Sequence, residues 1–464
     1  PGRPRNVGIE AASGTYVFIV DHDDWLGDEA LERMYTRAER NQADVVIGKE
    51  VGHGFGVPRR IFRHSIDDAK LGRDPLLALL TPHKLFRRSM LLDYDIRFPE
   101  GKRRLEDHHF VIQAYFHARR ITVLADYPTY HWVKRSGGEN ATGHSFDRRA
   151  YYSNLRDILD IVDRHTEPGV DRDRFYSHWL RYKMIHKLLR PVFRKPGTNS
   201  RVLYDEVRTL MLERFPPSVD RHLPVGYRIV AAAVRADRLD LVIAAAQFAH
   251  GLRLGIGLRD RSVRGGTIDL ALDCSFIDDA GAPLVLVRDG EMVRWVPPAK
   301  LIDGLDLQPD DLDCSDLMDS AELDVFVRQR RTALEYDRRV AIPVQEGPDR
   351  TVLLTGMTNV SIDVATVAAG EPLPDGRWDV LAQIEFGGWR ASTRIPGPGG
   401  GLFALDVGAD GQSVEFVPGT PPASGTTGQS KRIGKPGTVR GLAQGMRLLP
   451  VYRVAKRFAR FLGR

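Results

Sequence analysis

Apolar and polar positions along the first third of the chain alternate in a way that predicts strands separated by helices. Short apolar runs bounded by Gly or Asp predict buried strands at Thr15–Asp21, Ala43–Gly48 and Ile121–Ala125. Between them, Leu105–Ala118 carries apolar side chains at helical spacing. Residues 1–145 are therefore predicted to form an α/β layer with a largely parallel sheet.

The pattern changes twice further along the chain. Residues 146–250 repeat aromatic and aliphatic positions at helical spacing and predict a helical support region. Residues 251–417 contain short strand-like runs separated by Gly, Asp and Pro, which predict a β-sandwich region of one or two immunoglobulin-like or carbohydrate-binding-like modules. Residues 418–464 are predicted to be a linker rich in Pro, Gly, Ser and Thr that leads into a basic tail.

Composition limits the class of protein. The 464 residues are 42% hydrophobic and 28% charged, which is typical of two to four globular domains. No stretch approaches the ~20 apolar residues of a membrane-spanning helix, which argues against an integral membrane protein. The two cysteines, Cys274 and Cys314, form no disulfide framework and no metal-ligand spacing, as expected for a reducing cytosol.

The net charge of +6 is concentrated in the tail. Ser430–Arg464 contains ten Lys and Arg residues and no acidic residue, so residues 1–429 are net acidic. Apolar side chains recur at helical spacing there, at Leu448, Val451, Tyr452, Ala455, Phe458 and Leu462. A basic amphipathic helix of this kind predicts binding to an anionic membrane surface. A disordered, solvated tail is the alternative, and nucleic acid is not predicted as a partner because no recognition module accompanies the tail.

An acidic cluster follows the first predicted strand. Asp21, Asp23 and Asp24 would lie at the carboxyl end of that strand, where open α/β sheets bind ligands. Clustered carboxylates repel one another unless a cation lies among them, and hard oxygen ligands select Mg²⁺ or Mn²⁺. The simpler alternative is an acidic turn that caps the next helix at Asp28.

Further motifs in the first 135 residues, taken together, resemble a known family. They are Arg5–Gly8 (RNVG), Asp21–Asp24 (DHDD), Lys84–Arg87 (KLFR), Ile96–Gly101 (IRFPEG), Leu105–Phe110 (LEDHHF) and Tyr130–Arg135 (YHWVKR). Their order is similar to the second half of a GT-A fold glycosyltransferase of the inverting family 2. Within that family, the sequence pattern most resembles bacterial enzymes that build or decorate wall teichoic acid and other surface polymers. The resemblance implies a Rossmann-like GT-A domain whose first half is expected ahead of Pro1, so the chain is expected to be truncated at its amino terminus.

The resemblance also implies roles for residues on the donor side. Asp23 and His131 would bind Mn²⁺ or Mg²⁺, and Asp21 would contact the nucleotide ribose. His22 occupies the variable position of the Asp-x-Asp motif, where it would either add a ligand or pack outside. The residues expected on the nucleotide side are Arg5, Asp21, His22, Lys84 and Arg135, of which Lys84 or Arg135 would neutralise the diphosphate.

The acidic pair Glu106–Asp107 would form the acceptor side. Asp107 is expected to be the catalytic base and Glu106 to orient the acceptor or the base. Direct displacement at an anomeric carbon needs a carboxylate that removes the proton of the acceptor hydroxyl. Burial or the neighbouring Glu106 is expected to raise the pKa of Asp107 toward neutrality. The alternative for this pair is ordinary acidic capping at a helix N-terminus.

Three hypotheses follow. The first is a metal-assisted inverting glycosyltransferase that uses a nucleotide-sugar, expected to be a UDP-sugar, to glycosylate a hydroxyl of a surface polymer or lipid-linked precursor. It would act in the cytoplasm at the inner face of the plasma membrane, with its β region recognising polymer or forming a homo-oligomer. The second is a catalytically incomplete carbohydrate-binding or scaffold protein derived from a glycosyltransferase. The third is a metal-dependent phosphohydrolase.

Overall fold

The computed structural model describes residues 2–53, 56–101, 103–133, 147–194, 197–319, 321–368, 370–397 and 401–419. An α/β region comes first, a helical region follows, and two antiparallel sheets come last. This order confirms the predicted fold class. The proposed domain boundaries at 145, 250 and 417 stay predictions, and the basic tail lies outside the described residues.

The first region is built on one six-stranded sheet in the order β1-β5-β3-β6-β2, with β4 paired to β6. Its strands are β1 (Tyr16–Phe18), β2 (Trp25–Leu26), β3 (Val45–His53), β4 (Ile66–Ala69), β5 (Leu85–Arg87) and β6 (Ile121–Val133). Its helices are α1 (Gly2–Ala11), α2 (Ala30–Asn41), α3 (Arg88–Asp93) and α4 (Glu106–His117).

The prediction of a largely parallel sheet is wrong. Only β3 and β6 pair in parallel, and every other described pairing in this sheet is antiparallel. Chain connectivity explains this pattern. A parallel pair needs a long crossover connection, and the segment that contains α4 provides one between β3 and β6. The first predicted strand is also shorter than expected, since β1 ends at Phe18 and the residues up to Asp21 leave the sheet.

Both faces of the sheet are covered. Val45 belongs to the main core and its neighbour Val46 to a smaller core beside α2, because successive side chains of a strand point to opposite faces. A strand buried on both faces reads as a continuous apolar run, as this one does. β3 is accordingly buried along almost its whole length.

Helices occupy most of the next hundred residues. They are α5 (Arg148–His165), α6 (Val170–Trp179), α7 (His186–Leu188), α8 (Thr198–Arg214), α9 (Val225–Arg235) and α10 (Leu239–Gly251). A π-helical segment, Leu180–Ile185, joins α6 to α7. The side chains of Tyr152, Leu155, Ile158 and Val162 are fully buried and form the core face of α5.

Two further six-stranded sheets follow. The second sheet has the order β10-β9-β14-β8-β7 with β13 paired to β14, and the third has the order β12-β11-β15-β17-β18 with β16 paired to β15. Their strands are β7 (Arg253–Arg264), β8 (Thr267–Ile277), β9 (Val285–Asp289), β10 (Met292–Trp295), β11 (Glu322–Gln329), β12 (Glu335–Ala341), β13 (Val344–Glu346), β14 (Thr351–Asp363), β15 (Gly376–Phe386), β16 (Trp389–Arg394), β17 (Phe403–Val407) and β18 (Val414–Pro418). A short helix, α11 (Ser315–Asp319), precedes β11.

The third sheet is docked on the first region by ion pairs. Arg63 lies 2.7 Å from Asp324 Oδ1 and 2.8 Å from Asp337 Oδ2, measured from Nη2 and Nε respectively. Arg59 Nη1 lies 2.8 Å from Glu335 Oε2. The three carboxylates all belong to the paired strands β11 and β12, so the arginines contact one prearranged acidic face.

A second joint connects the helical region to the third sheet. The Gly226 N–H at the start of α9 donates to the Gly387 carbonyl at 2.9 Å. A Cβ atom at Gly226 would lie 2.2 Å from Trp389 Cζ2, so this approach requires glycine. Among the described residues, no helix is both long and apolar enough to cross a membrane.

Candidate active site

The acidic loop after β1 is fixed to strand β6. The Asp21 N–H donates to the Tyr130 hydroxyl at 3.1 Å, and that hydroxyl donates to Asp24 Oδ2 at 2.7 Å. Asp24 Oδ1 accepts from the Val133 N–H at 2.9 Å. The alternative in which this cluster caps the next helix is not supported, because α2 has Glu29 as its N-cap residue and no side chain caps it. The loop is instead held as part of a cleft at the sheet edge.

Arg5 joins the acidic loop to the acidic pair on α4. Its Nη2 donates to Asp21 Oδ1 at 2.8 Å and its Nη1 donates to Asp107 Oδ1 at 2.7 Å. Glu106 Oε1 is 3.9 Å from Nη1. The Arg5 side chain is only 13% exposed, whereas the two aspartates are each about a third exposed, at 36% and 34%. The largely buried guanidinium of Arg5 therefore connects Asp21, which is expected on the donor side, with Asp107, which is expected on the acceptor side.

Glu106 and Asp107 begin α4 as predicted. The preceding residue, Leu105, has a φ of 62°, which is unfavourable for a side chain of this size. Burial raises the pKa of Asp107, and the Arg5 charge only partly offsets this effect. Burial, followed by the charge of Asp107, also raises the pKa of Glu106. Asp107 thus has the raised pKa expected of a base, and Arg5 is the largest charge effect on it.

His83 contacts Asp21 from the opposite side. The Trp132 Nε1–H donates to His83 Nδ1 at 2.8 Å, which leaves the ring proton on Nε2, 3.4 Å from Asp21 Oδ2. The ring stacks on Tyr130 with centroids 4.0 Å apart. Although burial opposes the effect, hydrogen bonds from His83 and Arg5 hold the pKa of Asp21 well below its ordinary value. Asp21 is therefore a permanent anion at this edge.

Ligand atoms of Asp21, Asp24 and His83 lie within 4.8 Å of one another, close enough to surround a cation. Each of these groups already takes part in internal hydrogen bonds, however. Both Asp24 oxygens accept internal hydrogen bonds, and His83 Nδ1 accepts from Trp132. We therefore interpret this group as a hydrogen-bond network that positions Asp21.

His131 lies on β6 beside this network. Its Nδ1 is 3.0 Å from His53 Nε2, and its ring stacks on Trp25 with centroids 5.0 Å apart. Burial and then His53 lower the pKa of His131 to about 4. Asp23 is 22% exposed, and its Oδ1 is 3.8 Å from Nδ1 of the exposed His22. The assignment of Asp23 and His131 to a metal stays a prediction, as does the nucleotide contact of His22.

The comparisons with known proteins divide the chain into two matched segments. Residues 1–121 match the family Glycosyl transferase family 2, and residues 148–246 match the Glycosyl transferase TarS linker domain. The amino-terminal segment is thus similar to glycosyl transferase family 2. The resemblance noted in the sequence motifs is thereby confirmed.

Similar proteins include teichoic acid enzymes. The poly(ribitol-phosphate) beta-glucosyltransferase of Bacillus spizizenii is 37% identical over 163 residues, which are 35% of this chain and 26% of the relative. The poly(ribitol-phosphate) beta-N-acetylglucosaminyltransferase TarS of Staphylococcus aureus is 37% identical over 182 residues, 39% of this chain and 31% of the relative. The chain thus spans between a quarter and a third of these relatives. A crystal structure of S. aureus TarS 1–349 in complex with UDP-GlcNAc is 25% identical, with a TM-score of 0.48, and covers 58% of this chain and 76% of that one.

The remaining predicted residues of the family 2 segment lie in different settings. Lys84 is fully buried, and its ammonium donates to the carbonyl and hydroxyl of Thr81. Burial lowers its pKa to about 8, with Glu50 and Asp107 opposing the change. Its contact with a diphosphate stays a prediction. Arg135 lies outside the described residues.

Three residues at the site were not predicted by the sequence. His53 and His83 lie outside the sequence motifs, yet each contacts a motif residue. Lys183, on the π-helical segment, is near enough to Asp107 for that carboxylate to oppose the burial that lowers its pKa to about 8. The only signal for His83 was its position directly before the KLFR motif.

Proposed function

We propose that this protein transfers a sugar from a UDP-sugar, with inversion, to a hydroxyl group of a poly(ribitol phosphate)-type surface polymer or its lipid-linked precursor. The observation that carries the proposal is the contact of Arg5 with both Asp21 and Asp107. It places a carboxylate with a raised pKa beside the acidic loop on which the donor is expected to bind. The similarity to glycosyl transferase family 2 and the activities of the named relatives support glucose or N-acetylglucosamine as the transferred sugar.

Asp107 acts as the base in this proposal. An ionised carboxylate accepts the proton of the attacking hydroxyl as the new bond to the anomeric carbon forms. Burial raises the pKa of Asp107, which makes it a better proton acceptor, while Arg5 keeps it ionised and oriented. Glu106, in the same helical turn, would orient the acceptor or the base.

The proposal takes Asp23 and His131 as ligands of a divalent cation. One carboxylate oxygen and one imidazole nitrogen are ligands that Mn²⁺ accepts, and a substrate diphosphate commonly completes the shell of such an ion. Asp23 and His131 would hold the ion, and when bound it would supply positive charge for the departing nucleoside diphosphate. Arg5 and Asp21 would then position the nucleotide next to that charge.

The proposal also covers the acceptor, the membrane and the β region. Lys183 adds positive charge near Asp107, as an acceptor that carries phosphate would require. The basic tail would hold the protein at the inner face of the plasma membrane, and the β region would bind polymer or a second copy.

The test is sugar transfer by the chain itself. Labelled UDP-glucose or UDP-N-acetylglucosamine is incubated with poly(ribitol phosphate) and Mn²⁺, and the anomeric configuration of the product is read by NMR. We expect Mn²⁺-dependent formation of the inverted anomer and a loss of about 10²–10⁴-fold in rate for Asp107→Asn. The exposed Asp95→Asn is the matched control and should retain full activity.

Two results would contradict the proposal. Unchanged transfer by Asp107→Asn would remove the base assignment. Mn²⁺-dependent UDP binding without any transfer would favour the catalytically incomplete alternative, and release of inorganic phosphate without transfer would favour the phosphohydrolase.

A further inference from the structure

Three aromatic side chains from neighbouring strands meet beside the acidic loop. Trp25 is on β2, His131 on β6 and His53 at the end of β3, and β6 lies between the other two strands in the sheet. His131 Nδ1 and His53 Nε2 are 3.0 Å apart. Trp25 stacks on His131 with an interplanar angle of 6° and lies 4.6 Å from the centroid of His53.

The contact between the two imidazoles decides which nitrogen of His131 can bind a cation. Two neutral rings at this distance share one proton between the facing nitrogens. If His131 Nδ1 carries the proton, His53 Nε2 accepts it, and His131 Nε2 keeps a free lone pair. If His53 Nε2 carries it, His131 is protonated on Nε2 and cannot be a metal ligand through that atom.

In His83, by contrast, the proton lies on Nε2. Its Nδ1 accepts from the Trp132 indole, so its Nε2 carries a proton and donates toward Asp21. The partner of one ring nitrogen thus fixes the use of the other. Of the two histidines next to the acidic loop, His83 is held as a hydrogen-bond donor, whereas the partner of His131 is able to accept.

We propose that His53 is a positioning residue that accepts the Nδ1–H of His131 and thereby presents His131 Nε2 to a divalent cation. The inference rests on the proposed function, because it takes His131 as a ligand of that cation. Hydrogen-bond partners of this kind set the orientation and tautomer of ligating histidines, and their loss commonly weakens metal binding by about 10–100-fold. Trp25 supports the arrangement because a stacked ring prevents His131 from rotating away.

The experiment measures Mn²⁺ binding in the presence of UDP by electron paramagnetic resonance. His53→Phe keeps a ring of similar size but removes the acceptor, and we expect it to weaken Mn²⁺ binding by about 10–100-fold. His53→Gln places an amide oxygen near the former Nε2 position and should restore binding to within about threefold of wild type. The matched control is His117→Phe, since His117 forms a similar 3.2 Å pair with His165 at the α4–α5 contact.

The outcomes separate this inference from the proposed function. Weak binding by His53→Phe with rescue by His53→Gln supports the inference. Wild-type affinity in His53→Phe overturns the inference but leaves the metal-assisted function intact. Absence of Mn²⁺ binding by the wild-type protein with UDP overturns both.

A measurement on the wild-type chain covers the case in which His53→Phe does not fold. Nitrogen-15 NMR of labelled histidines reports the tautomer of His131, assigned by the loss of its signals in His131→Asn. A protonated Nδ1 is the expected result, and a protonated Nε2 would overturn the inference.

Discussion

Two arginines in this molecule make nearly identical contacts in very different settings. Arg5 in the cleft and Arg63 at the third sheet each bridge two aspartates, in both cases at 2.7 and 2.8 Å. The partners of Arg63 are on the paired strands β11 and β12, which hold them together whether or not the arginine is present. The partners of Arg5 come from a loop and a helix that are 86 positions apart in sequence, as Asp21 and Asp107 show.

The two bridges differ in how far their carboxylates are exposed to water. Asp337 is 7% exposed, so loss of Arg63 would leave a carboxylate that water cannot easily solvate. Asp21 and Asp107 are about a third exposed, so loss of Arg5 would free them to move and hydrate. The Arg63 bridge should therefore contribute mainly to stability and the Arg5 bridge mainly to catalysis.

The largest expected effect concerns Arg63. We expect Arg63→Gln to lower the free energy of unfolding by about 2–4 kcal/mol, because the mostly buried Asp337 loses its arginine and Asp324 keeps only Arg339, at 3.9 Å. Denaturant unfolding followed by tryptophan fluorescence measures this. The exposed Arg97→Gln, which also loses an aspartate partner, should cost less than about 0.5 kcal/mol. Equal stability of the two variants would show that the third sheet does not depend on this bridge.

The second prediction concerns turnover. Arg5→Gln should lower kcat by about 10–100-fold, equivalent to about 1.4–2.8 kcal/mol, while unfolding changes little, because the base loses its orientation. Arg5→Lys keeps the charge but cannot bridge two carboxylates, so it should resemble Arg5→Gln. Arg3→Gln, exposed on the same helix, is the control. Wild-type turnover by Arg5→Lys would mean that charge alone suffices.

The third prediction concerns pH. The positive charge of Arg5 lowers the pKa of Asp107 and so opposes the raising effect of burial. Removing that charge in Arg5→Gln must raise the pKa further, so the base stays protonated to a higher pH. The acidic limb of the kcat/KM profile should move to higher pH, and a shift to lower pH would show that another group is titrating.

The smallest effect is expected for Glu106→Gln. Losing a negative neighbour can only lower the pKa of Asp107, and Arg5 is the largest charge effect on that carboxyl. The acidic limb should therefore move slightly to lower pH, by less than in Arg5→Gln and in the opposite direction. A shift larger than that of Arg5→Gln would restore Glu106 as the main perturber, as the sequence suggested.

The sequence predicted elements whose signal is local. The apolar run at Ile121–Ala125 and the helical spacing at Leu105–Ala118 both form the expected structure, because one strand or helix requires only its own pattern. The early end of β1 could not be read from TYVFIVD. The residues that follow it are held by the hydrogen bond between Asp21 and Tyr130, which are far apart in the chain.

In the candidate site too, local signals were predicted and long-range contacts were not. The motifs located Asp21 and Asp107, but the guanidinium between them is a contact between residues 102 positions apart, Arg5 and Asp107. His53 carried no motif, and its contact with His131 depends on the parallel pairing of β3 with β6. Candidate site residues can therefore be predicted from local motifs, whereas their hydrogen-bond partners depend on tertiary structure.

A double-mutant cycle on kcat tests most directly whether Arg5 acts through Asp107. Turnover is measured for wild type, Arg5→Gln, Asp107→Asn and the double variant under saturating donor and acceptor. We predict that Arg5→Gln has no further effect in the Asp107→Asn background, since the base that it orients is already absent. Full additivity of the two effects would contradict this, because it would mean that Arg5 contributes to turnover independently of Asp107.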